Sequence, residues 1–336
     1  MTTYVVTGGA GFIGSGFVRL ALAERPDLHI VDVDLLTYAG NLENLKGVPE
    51  DRHSFRRADI CDPDAMGAAI PDRADALLNF AAETHVDRSI LGPMAFVRTN
   101  VLGTQTLLDA ARAKGVKRFL QVSTDEVYGS LGPKDPAFTE DSPLVPSSPY
   151  AASKAAADLL VLAARHTYGQ DVVLTRCSNN YGPYQFPEKL IPLVLSNALE
   201  DKPLPVYGDG RQVRDWITTD DHSRAILAVV ERGRPGAVYN IGARSERCNL
   251  DVVREILRQV AKPESLIRFV KDRPGHDRRY AMDPSRIEAE LGWRPLVSFE
   301  QGLADTIRWY RDHQDWWRRV KDGSYQRFYE EWYGRR

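Results

Sequence analysis

The chain has 336 residues, 43% of them hydrophobic and 27% charged, a composition that supports a sizeable core in one large or two ordinary domains. Lys and Arg number 44 against 46 Asp and Glu, a formal net charge of −2. No global field draws in nucleic acid or an anionic membrane, so polyanion binding is excluded as a main activity.

The three cysteines (Cys61, Cys177 and Cys248) lie far apart; they match neither a zinc site nor a disulfide scaffold, and they predict a reducing, cytoplasmic setting with no bound metal. No apolar run approaches the ~20 residues that span a bilayer. Thr2, Thr3 and Tyr4 supply no basic segment for export, so residue 1 is expected close to the start of the mature protein.

Over the first half, short apolar runs at residues 4–7, 29–33, 54–58, 76–80, 119–123 and 172–176 alternate with longer amphipathic stretches, which predicts β-α-β units and a parallel sheet. The first run leads directly into Gly8, Gly9, Gly11 and Gly14, with a helix beginning near Phe12. Missing Cβ atoms let a pyrophosphate approach main-chain N–H groups at the positive end of that helix. The second run carries Asp32 and Asp34, about 20 residues on, where an acid accepts hydrogen bonds from ribose hydroxyls and repels a 2′-phosphate. No Arg or Lys occurs among residues 31–38, so NAD is predicted over NADP. Asp59 and Ile60, after the third run, either flank the adenine or, for Asp59, cap the helix that follows Cys61. Phe96, Val97, Val101, Leu107, Leu108 and Ala111 recur at helical spacing over residues 96–114.

The fifth run ends in Ser123, Thr124, Asp125 and Glu126, at the carboxyl end of a parallel strand, where such folds place their active sites. Simple alcohol oxidation needs a hydroxyl here. Two adjacent carboxyl groups imply further acid–base work, one protonating a leaving hydroxyl and the other removing a carbon-bound proton; in another position they would read as a solvated acidic turn. Tyr150 and Lys154 stand one turn apart on one face of a helix expected over residues 150–168. A nearby cation favours the phenolate and lowers a pKa that is otherwise about 10, so Tyr150 can serve as a base while Lys154 holds the nicotinamide ribose. Alone, the spacing describes an ordinary surface pair.

Beyond about Asn179, prolines at 183, 187, 192, 203 and 205 break the chain, and isolated helices at 220–231 and 249–261 replace the strict alternation. The expected fold class is α/β: a Rossmann-type doubly wound parallel sheet in an NAD-binding domain of residues 1–180, and a smaller mixed α/β substrate lobe of residues 181–336. Some chain crossing between the lobes, and a cleft between them, are expected. Residues 299–333, rich in Trp, Tyr and Arg, read as an amphipathic helix capping the second lobe.

Taken together, residues 7–14, 36–41, 81–89, 123–129, the Tyr150/Lys154 pair, 178–190 and 273–280 resemble the dTDP-glucose 4,6-dehydratases, a family of extended short-chain dehydrogenases/reductases. The resemblance implies oxidation of dTDP-glucose at carbon 4, elimination of water across carbons 5 and 6, and return of the hydride to carbon 6, giving dTDP-4-keto-6-deoxyglucose with NAD regenerated. In these terms Tyr150 deprotonates the carbon 4 hydroxyl, Thr124 hydrogen-bonds the same oxygen, Glu126 removes the carbon 5 proton and Asp125 protonates the departing carbon 6 hydroxyl. The implied cofactor positions are Gly8, Gly11, Phe12, Ile13, Gly14, Asp34, Leu35, Leu36, Thr37, Asp59, Ile60, Phe80, Ala81, Ala82, Glu83, Thr99, Tyr150, Lys154 and Asn180. Those for the nucleotide sugar are Thr84, Thr124, Asn179, Lys189, Leu190, Pro205, Val206, Tyr207, Arg214, Asn249, Asp272, Arg273, Pro274, Gly275, His276, Asp277 and Tyr280.

Arg214 would offer a planar fork to a diphosphate, and Tyr207 a flat face to a pyrimidine. Without the motif, Arg214 reads equally as a salt bridge to Asp215 or Asp220, and His276 as a surface histidine. The likeness also implies a homodimer built on the helices at 96–114 and 150–168. Thr84 stands where many relatives have Ser, and residues 243–248 depart most from the family pattern. Among rivals, a nucleotide-sugar 4-epimerase shares the glycine turn, Tyr150 and Lys154 but has no use for Asp125 and Glu126. A GDP-mannose 4,6-dehydratase keeps the glutamate but usually not the aspartate before it. A catalytically silent NAD-binding regulator would need none of the set Thr124, Asp125, Glu126, Tyr150 and Lys154.

Overall fold

A computed structural model describes residues 2–321 together with Tyr329 and Trp332. In chain order the first half comprises β1 (Thr2–Thr7), α1 (Phe12–Glu24), β2 (Leu28–Asp34), β3 (His53–Arg57), α2 (Pro63–Ala69) and β4 (Ala76–Asn79). It continues with α3 (Val86–Leu91), α4 (Pro93–Phe96), α5 (Gly103–Ala113), β5 (Phe119–Thr124), α6 (Pro149–Tyr168) and β6 (Val172–Cys177). All six apolar runs are strands, within two residues of the expected limits at either end. Their side chains are buried on both faces in β1, β4, β5 and β6, as helices on both sides of a parallel sheet require.

The second half holds β7 (Asn179–Tyr181), α7 (Leu190–Leu199), β8 (Leu204–Tyr207), β9 (Val213–Thr218), α8 (Thr219–Arg232) and β10 (Val238–Ile241). After these come β11 (Glu246–Cys248), α9 (Asn249–Val260), β12 (Ile267–Val270), α10 (Ser285–Leu291), α11 (Phe299–Asp312) and α12 (Gln314–Val320). The main sheet runs β10-β6-β5-β4-β1-β2-β3 and is parallel throughout. Its seventh strand therefore comes from beyond residue 180. Helix α8 returns with it: Ala225, Ile226 and Val229 share one apolar core with Phe17, Val18 and Leu22 of α1. Close approach is permitted at Gly16, where a Cβ would lie 2.5 Å from Thr219 Cγ2.

A second core unites α7, β8, α9, α11 and α12 through Val194, Leu204, Ile256, Leu303, Tyr310 and Trp317. The Trp- and Tyr-rich stretch thus packs as an apolar cap on this lobe, as far as Val320; most of its remainder lies outside the described residues.

Two helices carry departures from simple periodicity. The stretch expected over 96–114 is interrupted by a π-helical segment at Val97–Leu102, a distortion that re-aims side chains toward functional regions. Here it brings Asn100 onto the 80–84 loop: its Oδ1 accepts from the Glu83 N–H (2.9 Å), and its Nδ2 donates to the Glu83 carbonyl (3.0 Å) and to Ser153 Oγ (2.8 Å). Helix α6 begins at Pro149, whose missing N–H costs nothing at a first position. Ser148 caps it by accepting from the Ala151 N–H (3.1 Å), and Gly169 in the left-handed conformation ends it.

Candidate functional site

Register places the strand ends together. Thr7 pairs with Val33 on one side and Asn79 on the other, and Thr124 pairs with Cys177, so the glycine turn, the 80–84 loop and the acidic turn open on one edge of the sheet.

At the turn, Gly8 has φ +75°, and a Cβ there would lie 2.6 Å from the Ala81 nitrogen. A Cβ at Gly14 would lie 2.2 Å from the Gly8 carbonyl oxygen. Gly11 is the N-cap of α1 and has no side chain to occupy the first N–H groups, while Phe12 and Ile13 open the helix. A turn with no room for a Cβ at Gly8, Gly9 or Gly14, ending on unused helix N–H groups, fits a pyrophosphate.

Asp32 and Asp34 part company. Asp32 is fully buried behind the turn, against Gly9 and 3.5 Å from His53 Nε2. Asp34 accepts N–H bonds from Ala10 (3.1 Å) and Leu36 (2.8 Å) and so fixes the turn on the end of β2; burial pushes its carboxyl above the usual range and these two bonds oppose the shift. Leu35 is exposed, and the Thr37 carbonyl accepts from the Gly40 N–H. Asp59 takes neither a capping role on α2 nor a free position. It bonds the Cys61 N–H (2.9 Å) and pairs with Arg98 (3.2 Å), and Asp62 caps α2 instead. Ile60 packs where a Cβ on Gly103 would otherwise stand. Phe80 meets the ring of Phe17 at 5.3 Å, and its N–H donates to the Thr7 carbonyl.

Gly8→Ala is expected to cost about 1–2 kcal/mol in backbone strain and to yield protein without bound dinucleotide, measured by absorbance of cofactor released on denaturation. Gly67→Ala, at a helical position open for 4 Å around, is the matched control and should retain it.

At the end of β5, Thr124 Oγ1 accepts from the Glu126 N–H (3.2 Å) and donates to Asp125 Oδ1 (3.2 Å), folding Asp125–Tyr128 into a single 3₁₀ turn. Tyr150 stands in the first turn of α6, edge-on to Phe96 at 6.3 Å. The electrostatics differ from the expectation that Lys154 draws the phenol down. The Lys154 ammonium donates to the Val122 carbonyl (2.7 Å), and burial lowers its pKa against the pull of Asp158 and Cys177. Tyr150 is pushed well above its ordinary value by burial and then by Glu126, Cys177 and Asp125, with Thr124 acting the other way. Its strongest charged neighbours are acids, so these surroundings favour the neutral phenol.

Both carboxyls are raised, but in unequal surroundings. Burial holds Asp125 well above the usual range, reinforced by Glu126, and its Oδ2 has no partner among the described residues. Burial also raises Glu126, but Arg273, Lys189 and Arg214 all favour its ionised form. Unequal environments of this kind separate a proton donor from a proton acceptor.

Glu126 reaches into a cleft of about 160 Å³, walled also by Asn179, Asn180, Lys189, Leu190, Pro205, Val206, Tyr207, Arg214, Asn249, Arg273, His276 and Tyr280. Side chains of Asn179, Gln185, Gln212, Trp216, Asn249 and Arg273 each leave a buried polar atom there without a partner among the described residues, which marks the cleft for a ligand rich in donors and acceptors. Arg214 makes no ion pair with Asp215 or Asp220. It stacks over Tyr280 (4.2 Å) and donates to the Val213 and Asp277 carbonyls, leaving its charge uncompensated by any carboxylate contact among the described residues. His276 is no surface histidine: its ring is almost fully buried, 2.6 Å from Asp272, and burial together with Arg273 lowers its pKa to about 3.

Several expected substrate residues stand behind the wall. Thr84 accepts the Lys189 ammonium on its carbonyl (2.9 Å), and Asp272 holds His276 and Gln212. Asp277 accepts from Ser147 (2.6 Å) and Tyr280 (2.5 Å). Gly275, at φ +65°, lets the loop approach the Ser147 carbonyl. Thr124, Pro274, Asp125, Tyr150 and Lys154 also lie outside the cleft lining. Wall residues not anticipated are His85, Val86, Asp87, Gln185, Glu188, Leu193, Gly210, Gln212, Trp216 and Val253. The first three sit inside the 81–89 stretch, and Gln185 and Glu188 inside 178–190, which were the available signals.

The fold and this arrangement define an extended short-chain dehydrogenase/reductase. The family model described as GDP-mannose 4,6 dehydratase matches residues 5–306. The dTDP-glucose 4,6-dehydratase of Xanthomonas campestris pv. campestris (strain B100) is 52% identical, covering 97% of this chain and 98% of the relative. Among solved structures, DesIV, a dTDP-glucose 4,6-dehydratase from Streptomyces venezuelae with NAD and dTDP bound, superposes with a TM-score of 0.93 at 51% identity, covering 95% of this chain and 100% of DesIV. The UDP-glucose 4-epimerase of Thermus thermophilus, solved with NAD, gives 0.85 at 30% identity, covering 93% of this chain and 100% of the epimerase. The chain belongs to the dTDP-glucose 4,6-dehydratase family.

Proposed function

We propose that this protein converts dTDP-glucose to dTDP-4-keto-6-deoxyglucose with loss of water, using a resident NAD. The observation that carries this reading is the acid pair at the end of β5: Asp125 and Glu126 share a turn, yet only Glu126 faces three cations. An epimerase has no need of such a pair. Residues 1–180, completed by α8 and β10, would hold the cofactor, and the remainder would wall the nucleotide sugar.

In this reading bound NAD supplies a reversible acceptor for hydride, with positive charge on its nicotinamide ring. Tyr150, whose phenolate that positive charge would favour against burial, Glu126 and Asp125, takes the proton of the carbon 4 hydroxyl, and Thr124 holds that oxygen. A ketone at carbon 4 acidifies the carbon 5 proton, which Glu126 accepts in its ionised form. Asp125, kept protonated by burial, delivers its proton to the departing carbon 6 hydroxyl, and water leaves. Lys189, Arg214 and Arg273 supply the positive charge an anionic diphosphate requires, without a basic protein overall.

Leu91, Met94, Val97, Leu102 and Leu159 expose apolar surface along α3, α4, the π-helical segment and α6, which supports a homodimer through this face. Gel filtration tests that part. The three free cysteines support a cytoplasmic location.

The activity is tested by incubating purified protein with dTDP-glucose and no added NAD. A product one water lighter, with a ketone at carbon 4, is expected, and deuterium placed on carbon 4 should be found on carbon 6. Recovery of intact substrate, or of the galactose isomer, rejects the assignment.

A further inference from the structure

The short helix α3 follows the 80–84 loop, yet one of its side chains reaches across the cleft. Asp87 is 2% exposed and lies in the cleft wall. Its Oδ2 accepts the Tyr207 hydroxyl (2.6 Å) from the end of β8, and its Oδ1 accepts Arg273 (3.3 Å) from the loop beyond β12. Tyr207 is held in turn by the Trp332 indole N–H (2.5 Å). One carboxylate therefore joins the sheet lobe to two separate elements of the second lobe, at the point where both border the site.

What Asp87 holds matters more than the bond itself. Arg273 and Glu126 line the same cleft, and among the charges acting on Glu126 that of Arg273 is the strongest, ahead of Lys189 and Arg214 and opposed by Asp277. Asp125, Tyr150 and Tyr280 also face Glu126, and Lys189 also faces Asp87. Among the described residues the Arg273 Nε has no partner, and the guanidinium is tied to the opposite lobe by its ion pair with Asp87. We infer that Asp87 is a positioning residue, which holds Arg273 across the cleft so that its guanidinium faces the carboxyl of Glu126. The inference rests on the proposed role of Glu126 as proton acceptor.

The sign of one measurement separates this role from a passive one. A mere loss of negative charge near Glu126 would favour its ionised form and move the acid limb of kcat to lower pH. Release of Arg273 removes the leading cation instead, and the limb moves up. An opposite charge within ~4–6 Å of a carboxylate is worth about 1 pH unit or more. Asp87→Asn is therefore expected to move the acid limb up by about 1 unit, with kcat below the limb reduced about tenfold at a given pH. Asp87→Glu should return much of the shift.

Arg273→Gln should move the limb in the same direction, and the double variant should move it no further than either single one. It also gives an independent measurement if Asp87→Asn does not accumulate as folded protein. An acid limb that stays or falls in Asp87→Asn, or shifts that add in the double variant, overturns the inference. Absence of dehydration by the unaltered protein in the same assay counts against the proposed activity itself, which keeps the two failures apart.

Discussion

Glu126→Gln is expected to lower kcat by about 10²–10⁴-fold, the usual loss when a positioned acid–base group is removed. The amide matches the carboxylate in shape and keeps a carbonyl oxygen, so packing at the end of β5 survives. It cannot take a carbon-bound proton. Binding should respond in the opposite sense to rate: Glu126 is the carboxylate on which Arg273, Lys189 and Arg214 act together, and neutralising it leaves their charge for an anionic diphosphate. The KM for the nucleotide sugar is therefore expected to stay level or fall. Bound NAD should be unchanged, because the glycine turn and Asp34 are separate from this wall. Steady-state kinetics and cofactor content measure all three quantities, and a kcat within tenfold of the unaltered protein would mean that another group accepts the proton.

The largest stability effect is expected below the site. Asp158, one turn beyond Lys154 on α6, is fully buried and pairs with Arg176 of β6 (2.9 Å), itself buried. Arg176 also donates to the Tyr128 hydroxyl (2.9 Å) and lies over that ring, and Tyr128 donates to Asn240 (2.8 Å), whose Nδ2 bonds the Phe138 carbonyl. This network ties α6, the acidic turn after β5 and the late strand β10 together. Asp158→Ala leaves a guanidinium buried without its counter-ion and should cost about 3–5 kcal/mol. Replacing both partners by apolar residues, as Asp158→Leu with Arg176→Met, removes the stranded charge and should be markedly less harmful. Denaturant unfolding of the single and double variants tests this. A loss below about 1 kcal/mol in Asp158→Ala would show that Arg176 finds other compensation.

Sequence alone determined what depends on neighbours along the chain. Residues 4–6 are apolar and lead through Thr7 into glycines, so a buried strand must break into a turn that L side chains avoid, and Gly8 at φ +75° is that turn. Helical spacing and Pro149 mark α6, and Ser123 to Glu126 could be placed at a strand end from the alternation alone. Partners that arrive from far along the chain were not legible.

Val238–Ile241 is too short an apolar run to declare itself, and becomes a strand because β6 offers it an open edge. The periodicity of residues 96–114 hides the π-helical segment, which serves a contact with Glu83. Asp62 rather than Asp59 caps α2 because the helix starts at Pro63, which leaves Asp59 to the Cys61 N–H and to Arg98, thirty-nine residues away. Chemistry follows the same division. The sequence supplied the phenol, the ammonium and the two acids, but their protonation is a property of dielectric and of facing charge. Only the tertiary structure buries Tyr150 among carboxylates, commits Lys154 to the Val122 carbonyl, and brings Arg273, held by Asp87, to the side of Glu126.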